Sequence, residues 1–252
     1  MSPGFRTLLA KEVMRFWKVA FQTIAAPVLT AVLYLIVFSH ALAGRAEAFP
    51  GVPYVAFLLP GLVMMSMLQN AFANSSSSLI QSKVTGNMVF ILLAPLTHRD
   101  LFAAYLLAAI VRAAAVGAGV LACVAWFVPL PLPHPGWLVA FTVVGAGILG
   151  VMGILAGIWS DKFDQLAAFQ NFTVTPLTFL AGVFYSVASL PPAWQAFSYL
   201  NPFFYAVDGF RYAFFRQSDV NPWTSLAIAT AAFAALSFTA LRLLARGTKL
   251  RH

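Results

Sequence analysis

Charged side chains are scarce in this sequence. Only 9% of its 252 residues are charged, with 7 Asp and Glu against 15 Lys and Arg, while 61% are hydrophobic. Soluble domains carry about 25% charged residues. A soluble fold could not bury so much apolar surface, so the composition predicts an integral membrane protein.

Cysteine and the common catalytic motifs are almost absent as well. Cys123 is the single cysteine, which excludes an internal disulfide and a cysteine-based metal site. The sequence has no GxxxxGK[ST] phosphate loop and no HExxH motif. The histidines are widely separated: His40, His98, His134 and His252. We therefore expect this chain to hydrolyse no nucleotide and to hold no metal or cofactor.

Long apolar runs, by contrast, are abundant. A helix that crosses a bilayer needs about 20 predominantly apolar residues. The runs of that length are roughly Val19–Ser39, Tyr54–Leu79, Leu101–Val128, Trp137–Trp159, Leu166–Tyr185 and Trp223–Leu244. The predicted fold is an all-α integral membrane protein with six transmembrane helices, in a single domain over residues 1–252.

The basic residues indicate how these helices are oriented. A net charge of +8 would also suit nucleic-acid binding, but most of the Lys and Arg residues lie at the chain ends and beside the apolar runs. One side carries Arg6, Lys11, Arg15, Lys18, Lys83, Arg99, Lys162, Arg242, Arg246, Lys249 and Arg251. The other side has only Arg45, Arg211 and Arg216. The positive-inside rule then predicts a multi-pass protein with both termini in the cytoplasm and no nucleic-acid partner.

Residues 1–18 have the period of an amphipathic helix. Its apolar face would carry Phe5, Leu8, Leu9, Val13 and Phe16. Lys11, Arg15 and Lys18 fall on another face. This pattern favours a helix that lies in the cytoplasmic interface of the membrane. The alternative is a simple cytoplasmic extension of the first span.

Residues 81–100, between the second and third spans, contain the short apolar stretch GNMVFILLAPLTHRD. Gly86 gives the backbone conformational freedom just before the stretch, and Pro95 stops the helix from continuing. The helix between them is therefore too short to cross a bilayer. Thr97 and Asp100 match a capping box at the start of the third span. The pattern predicts a short cytoplasmic helix joined firmly to two spans.

The apolar residues of this short helix form a stripe. Met88, Ile91, Leu92 and Pro95 recur at positions i, i+3, i+4 and i+7. Such a stripe suits the groove of a partner protein. The alternative is a helix that rests in the headgroup region. If a partner binds there, Met88, Ile91 and Leu92 should be unusually exposed in the chain alone.

Residues 188–222 form the longest connection, broken by Pro191-Pro192 and Asn201-Pro202. Its apolar pieces are too short to cross, and non-helical backbone at membrane depth must be covered by protein or line a cavity. We expect a re-entrant helical hairpin in the outer leaflet. Asp208 and Arg211 could pair on one helical face, for either a structural role or a substrate contact.

Two features of the spans leave alternatives open. Arg112, inside the third span, could snorkel or bind a polar partner, or it could contact an anionic headgroup or substrate. Gly153 and Gly157 form a GxxxG step in the fourth span. Such a step permits close helix packing within one chain or a seam between two copies.

At these residues the chain resembles the ABC-2 type permease family, the membrane subunits of many bacterial ATP-driven exporters. The resemblance covers nearly the whole chain. It rests on the N-terminal amphipathic segment, on GNMVFILLAPLTHRDL, and on SLPPAWQAFSYLNPFFYAVDGFRYAF. The last stretch is the most specific, because an Asn-Pro, Tyr205 and Arg211 recur in this family. The chain looks closest to the short bacterial inner-membrane permeases.

The resemblance implies that two copies of the chain form a pathway above two copies of a separate ATPase, which binds ATP and Mg²⁺. The coupling helix that docks in the ATPase would include Gly86, Met88, Ile91, Leu92, Pro95 and Arg99. Arg6, Lys11 and Arg15 would add an N-terminal contact. The outer gate would include Asn201, Pro202, Tyr205, Asp208 and Arg211. No catalytic residue is implied for this chain.

The expected function is therefore that of an exporter permease in the bacterial inner membrane, in contact with membrane lipid. Its substrate would be amphiphilic, lipid-linked, polysaccharide or drug-like. The alternative is a stand-alone passive or ion-coupled carrier, which the lack of acidic residues inside the spans disfavours. An intramembrane enzyme would need clustered acidic residues or histidines, and only Asp161 and Asp164 come close to that.

Overall fold

The computed structural model describes residues 3–41, 47–128 and 131–247. Within these ranges the helices are α1 (Pro3–Trp17), α2 (Ala20–Ala41), α3 (Tyr54–Val84), α4 (Met88–Leu93), α5 (His98–Val124), α6 (Pro135–Trp159), α7 (Phe163–Phe169), α8 (Thr175–Phe179), α9 (Pro192–Leu200), α10 (Pro202–Phe215) and α11 (Pro222–Arg246). Strands β1 (Glu47–Phe49) and β2 (Val52–Pro53) form an antiparallel hairpin. Arg45, Lys249 and Arg251, which entered the orientation argument, lie outside the described residues.

Five of the described helices are long and apolar enough to cross a membrane: α2, α3, α5, α6 and α11. They correspond to five of the six predicted spans, so the helical membrane fold is confirmed. Burial is uneven among them. In α3, 83% of the most apolar window is buried inside the protein, against 17% in α2 and 11% in α11. The bundle is therefore built around α3, with α2 and α11 at its periphery.

The remaining predicted span, Leu166–Tyr185, has a different form. Helix α7 continues through a π-helical turn, Gln170–Val174, into α8, which ends at Phe179. Pro176 has no N–H to donate along the helix, and the irregular turn directly precedes it. At 1.5 Å per residue, the helical run from Phe163 to Phe179 is roughly 25 Å long. A sixth crossing here stays a prediction.

We call the end of the bundle where α3 ends and α5 begins the α4 end. Helix α1 packs beside α5 at this end and is separated from α2 by the short turn at Lys18 and Val19. The predicted N-terminal helix is thus present, and its place in the cytoplasmic interface stays a prediction. The hairpin α9–α10 belongs to the opposite end, where α3, α6 and α11 begin.

The glycines of α6 bring this helix against α3. A Cβ atom at Gly153 would lie 2.5 Å from the Phe72 carbonyl oxygen, and one at Gly157 would lie 2.7 Å from the Cβ of Leu79. The Ser75 hydroxyl also donates a hydrogen bond to the Gly150 carbonyl, at 2.7 Å. Within the chain, the GxxxG step therefore serves the packing of α6 on α3.

We expect Gly153→Ala to destabilise the protein by about 1–3 kcal/mol, because the new methyl group meets backbone that cannot move aside. The thermal unfolding midpoint of the purified chain measures this. Gly136→Ala, at the start of the same helix, is the matched control, since a Cβ there meets nothing within 4 Å. Equal midpoints for the two variants would contradict the close α3–α6 packing.

Candidate functional site: a surface helix and a buried hairpin

Helix α4 is a single short helix with a fixed geometry at both ends. It follows Gly86, whose φ of +74° is a left-handed conformation that favours glycine. It ends at Ala94, which is extended, as residues before proline usually are. The predicted capping box of α5 is confirmed. The Asp100 N–H donates to the Thr97 hydroxyl and the Thr97 N–H donates to the Asp100 carboxylate, both at 3.1 Å.

The structure corrects the predicted stripe on α4. Met88 is only 4% exposed, and it packs in an apolar cluster with Phe5, Leu8, Leu101 and Tyr105. The expectation that Met88 is exposed is therefore wrong. A six-residue helix offers one side to its own protein, and the side with Met88 and the partly buried Ile91 is the one that packs on α1 and α5.

The other side of α4 presents apolar residues outward. Phe90 is 72% exposed and Leu93 is 77% exposed, and Val89 and Leu92 are exposed as well. Among these four, Leu92 alone belonged to the predicted stripe. We call Val89, Phe90, Leu92 and Leu93 the α4 face. Spacing alone could not distinguish this face from the packed one, because all six residues of α4 are apolar.

Two contacts fix the segments before and after α4. Lys83, at the end of α3, donates to the carbonyls of Ile158 and Ser160 at 2.6 and 3.0 Å, and its amine lies 3.7 Å from Asp161. This fixes the end of α3 to the end of α6. On the other side of α4, a side chain at Gly4 of α1 would collide with Leu96, so α1 covers the segment after α4.

Charged residues and a cleft flank the α4 face. Arg6, Lys11 and Arg99 are exposed, as is Pro95. A cleft of about 400 Å³ lies between the start of α5 and the end of α11. Its lining residues include Leu92, Leu96, His98, Leu101, Leu244 and Arg246. The α4 end thus combines an apolar centre with a basic surround.

Arg15 does not belong to this exposed surface. Its guanidinium turns into the protein, where it donates to the Asn74 carbonyl at 2.7 Å and to the Ser77 hydroxyl at 3.2 Å. It also lies 3.3 Å from the carboxylate of Glu12, which is fully buried. The helical period placed Arg15 on a polar face and gave no sign that an acidic residue would be buried between α1 and the bundle.

The hairpin consists of two unlike helices. Helix α9 has exposed apolar residues, including Leu200 at 81%, whereas α10 is buried on almost every side. Asn201 begins α10. Its side-chain oxygen accepts from the Phe203 N–H at 3.0 Å and its amide donates to the Leu177 carbonyl at 2.6 Å. Pro202 takes the first helical position, where no N–H is needed, and the Tyr205 hydroxyl donates to the Tyr199 carbonyl at 2.8 Å.

Asp208 and Arg211 do not pair as expected. The Asp208 carboxylate accepts from the backbone N–H groups of Asp219 and Val220, at 2.8 and 3.1 Å. The Arg211 guanidinium donates instead to the Gly182 carbonyl at 2.9 Å, and it lies 3.8 Å from the centre of the Phe57 ring. Each charge therefore fixes a different loop to α10. These partners are distant in sequence, which is why the i, i+3 spacing was misleading.

Burial shapes the electrostatics of this pair. It raises the pKa of Asp208 to about 6, against the opposing effect of the hydrogen bond from the Asp219 N–H and of the nearby Arg211 charge. It lowers the pKa of Arg211 to about 10, which Asp208 and Asp219 partly offset. The inner part of the hairpin thus carries two buried ionisable side chains, each hydrogen-bonded to backbone groups.

Arg112 lies between α5 and α3. Its Nε and Nη2 donate to the side-chain oxygen of Asn70, at 3.3 and 3.1 Å. The predicted polar partner on another helix is confirmed, and it is a neutral amide. The described residues contain no group of three or more His, Cys, Asp or Glu that could hold a metal ion.

These features define a polytopic membrane protein of the transporter class. The surface helix α4 lies at one end, and the hairpin α9–α10 with its buried second helix lies at the other. Residues 3–215 match the ABC-2 type transporter family. The chain is 37% identical to the inner membrane transport permease YadH of Escherichia coli strain K12, over 98% of this chain and 97% of that protein. The chain therefore belongs to the ABC-2 type transporter family, as its motifs predicted.

Two less similar relatives are nodulation proteins. The chain is 23% identical to nodulation protein J of Rhizobium leguminosarum bv. viciae, over 81% of this chain and 79% of that protein. It is also 23% identical to nodulation protein J of Rhizobium meliloti strain 1021, over 77% and 74%. These matches extend across most of the membrane bundle, so the fold is shared along its length rather than in one motif.

Proposed function

We propose that this chain is the membrane-spanning permease subunit of an ATP-driven exporter in a bacterial inner membrane, with both termini in the cytoplasm. Two copies form the pathway. Two copies of a separate ATPase, which bind ATP and Mg²⁺, dock at the α4 end. The inner-membrane location follows the name of the relative at 37% identity. The substrate belongs to the amphiphilic, lipid-linked, polysaccharide or drug-like classes.

The observation that carries this proposal is the α4 face. Four apolar side chains project outward from one short helix, and the exposed cations Arg6, Lys11 and Arg99 lie on α1 and α5, the helices that pack at the same end. An apolar centre with a polar rim is the usual arrangement of a protein-binding surface. Helix α4 has only six residues and offers little contact area to a partner. We therefore expect the α4 face to bind in a concave surface on the ATPase.

The contacts of α4 and of its neighbouring segments explain how a docked ATPase would move the bundle. Met88 fixes α4 to α1 and α5, the capping box fixes the start of α5, and Lys83 fixes the end of α3 to α6. A displacement of α4 is therefore transmitted to α3, the most buried of the five long helices, and to α5. The direct contact residues we propose are those of the α4 face with Pro95 and Arg99, while Gly86 and Met88 set its position.

The opposite end would hold the outer gate. Asn201, Pro202 and Tyr205 fix the start of α10, and Asp208 and Arg211 connect it to the loops on either side. Because α10 packs against α3 and α6, a movement of α3 reaches the hairpin directly. This is the physical basis on which we assign the hairpin to gating.

Coexpression tests the proposal. An affinity-tagged full chain would be produced together with a phosphate-loop ATPase from the same organism, chosen first from genes next to that of this chain, and purified from membranes. We expect the two proteins to copurify and to hydrolyse ATP faster together than the ATPase does alone. An ATPase variant without its phosphate-loop lysine should copurify and show no hydrolysis. A chain that never retains an ATPase, and moves a solute by itself in liposomes, would support a stand-alone carrier instead.

A further inference from the structure

The helix α3 carries a polar stripe where α1 and α5 meet it. Asn70 binds Arg112 of α5, and one turn further along, Asn74 and Ser77 bind Arg15 of α1. Because Asn70 and Asn74 are four residues apart, the two contacts are separated by about 6 Å along the helix axis. Two arginines from different helices thus converge on one side of α3.

The charges at this site are not balanced. Glu12 lies beside Arg15 and Lys11, at 3.3 and 3.5 Å. Arg112 has no carboxylate within 4.0 Å among the residues that the structure describes. A guanidinium has five N–H donors, and the two that bind the Asn70 amide leave three without a described acceptor. A partly exposed cation inside an apolar helix with only a neutral partner favours an anion from outside the chain.

Helix packing fixes the depth of Arg112. A side chain at Gly119 of α5 would collide with Ile24, near the start of α2. Arg112 lies seven residues before Gly119, about 10 Å nearer the α4 end, which places it beyond the first residue of α2, Ala20. Helix α2 is about as long as the apolar core of a bilayer is thick. If α2 spans that core, Arg112 lies level with the end of α2 at Ala20, which is the headgroup level at the α4 end.

We propose that Arg112, positioned by Asn70 and with Arg15 nearby, binds the anionic headgroup of a membrane amphiphile in the leaflet at the α4 end. The fully buried Asn74 amide, whose Nδ2 has no acceptor among the described residues, lies one turn away on the same stripe. The headgroup chemistry is that of a phosphate or a similar oxyanion, which guanidinium groups bind with paired hydrogen bonds. Only the further statement that this amphiphile is the transported substrate rests on the proposed function.

The binding test needs no ATPase. The full chain would be reconstituted in phosphatidylcholine vesicles with a minor fraction of phosphatidylglycerol, and the lipids retained after extraction would be identified by native mass spectrometry. We expect the wild-type chain to retain phosphatidylglycerol selectively, and Arg112→Gln to bind it about tenfold more weakly, as the loss of one charge-assisted contact implies. Arg112→Lys should keep much of the selectivity.

Arg242→Gln is the matched control, because Arg242 is an exposed cation near the same end of the bundle, stacked on Phe238. Equal phosphatidylglycerol retention by the Arg112→Gln and Arg242→Gln chains would overturn the site. Displacement of the lipid by an equal concentration of inorganic phosphate would show a site for a free anion and overturn the amphiphile. In the complex with its ATPase, phosphatidylglycerol should accelerate hydrolysis for wild type and not for Arg112→Gln. Selective binding without that acceleration would overturn the substrate assignment alone.

Discussion

Replacing Phe90 or Leu93 with aspartate is expected to separate the permease from its ATPase. Both side chains are more than two-thirds exposed in the chain alone, so the substitution should leave folding intact. In a docked complex, the same aspartate would be buried in an apolar groove without a partner, which costs a few kcal/mol. A loss of about 2 kcal/mol weakens binding roughly 30-fold. Copurification and coupled ATP hydrolysis measure the effect.

Two controls distinguish uncoupling from unfolding. Leu200→Asp changes an equally exposed apolar residue on α9, at the opposite end of the bundle, and should still copurify with the ATPase. Met88→Asp places the charge on the packed side of α4, and should lower the thermal unfolding midpoint of the chain itself. If Phe90→Asp and Leu93→Asp retained the ATPase as wild type does, the α4 face would not be the docking surface.

Arg211→Leu is expected to be among the most destabilising single substitutions in this protein. Arg211 is 1% exposed, and its guanidinium donates to the carbonyls of Gly182, Val183 and Phe57. Leucine would leave these acceptors unsatisfied and Asp208 without its nearest cation. Breaking a buried charged contact on one side costs about 3–5 kcal/mol. The thermal unfolding midpoint and the yield of folded protein from membranes are the measurements.

Arg216→Leu removes the same charge from the exposed end of α10, and we expect a change in midpoint within the error of the wild type. Arg211→Lys tests geometry, because an ammonium keeps the charge but lacks the planar array of donors. It should fall between Arg211→Leu and wild type. An unchanged midpoint for Arg211→Leu would mean that the buried contacts of Arg211 contribute nothing to holding the hairpin.

The sequence predicted contacts well where the chemistry is local. The capping box needs only Thr97 and Asp100, three residues apart at a helix start, and the structure has both of its hydrogen bonds. The apolar runs needed only their length and composition, and five of them are long helices. The Asn201-Pro202 pair likewise begins a helix, because asparagine accepts from the following N–H groups and proline tolerates the first helical position.

Side-chain partners far apart in sequence were not predictable in this way. The side of α4 that packs was decided by α1 and α5, which cover Met88 and leave Phe90 and Leu93 outside. Asp208 and Arg211 share a helix but bind loops before and after it. Glu12 was placed in a surface helix, and the position of α1 against α3 and α5 buried it beside Arg15.

By itself, the sequence determined the membrane class, the helical fold and the short helix between the second and third spans. Each depends on composition, or on residues within a turn or two of one another, because helical backbone satisfies its own hydrogen bonds inside a bilayer. The tertiary structure alone decided which face of that helix is exposed, what holds the buried charges, and which side chain binds Arg112. These depend on which helices become neighbours, since a buried charge or an exposed apolar side chain is defined by what packs against it and not by its own position in the chain.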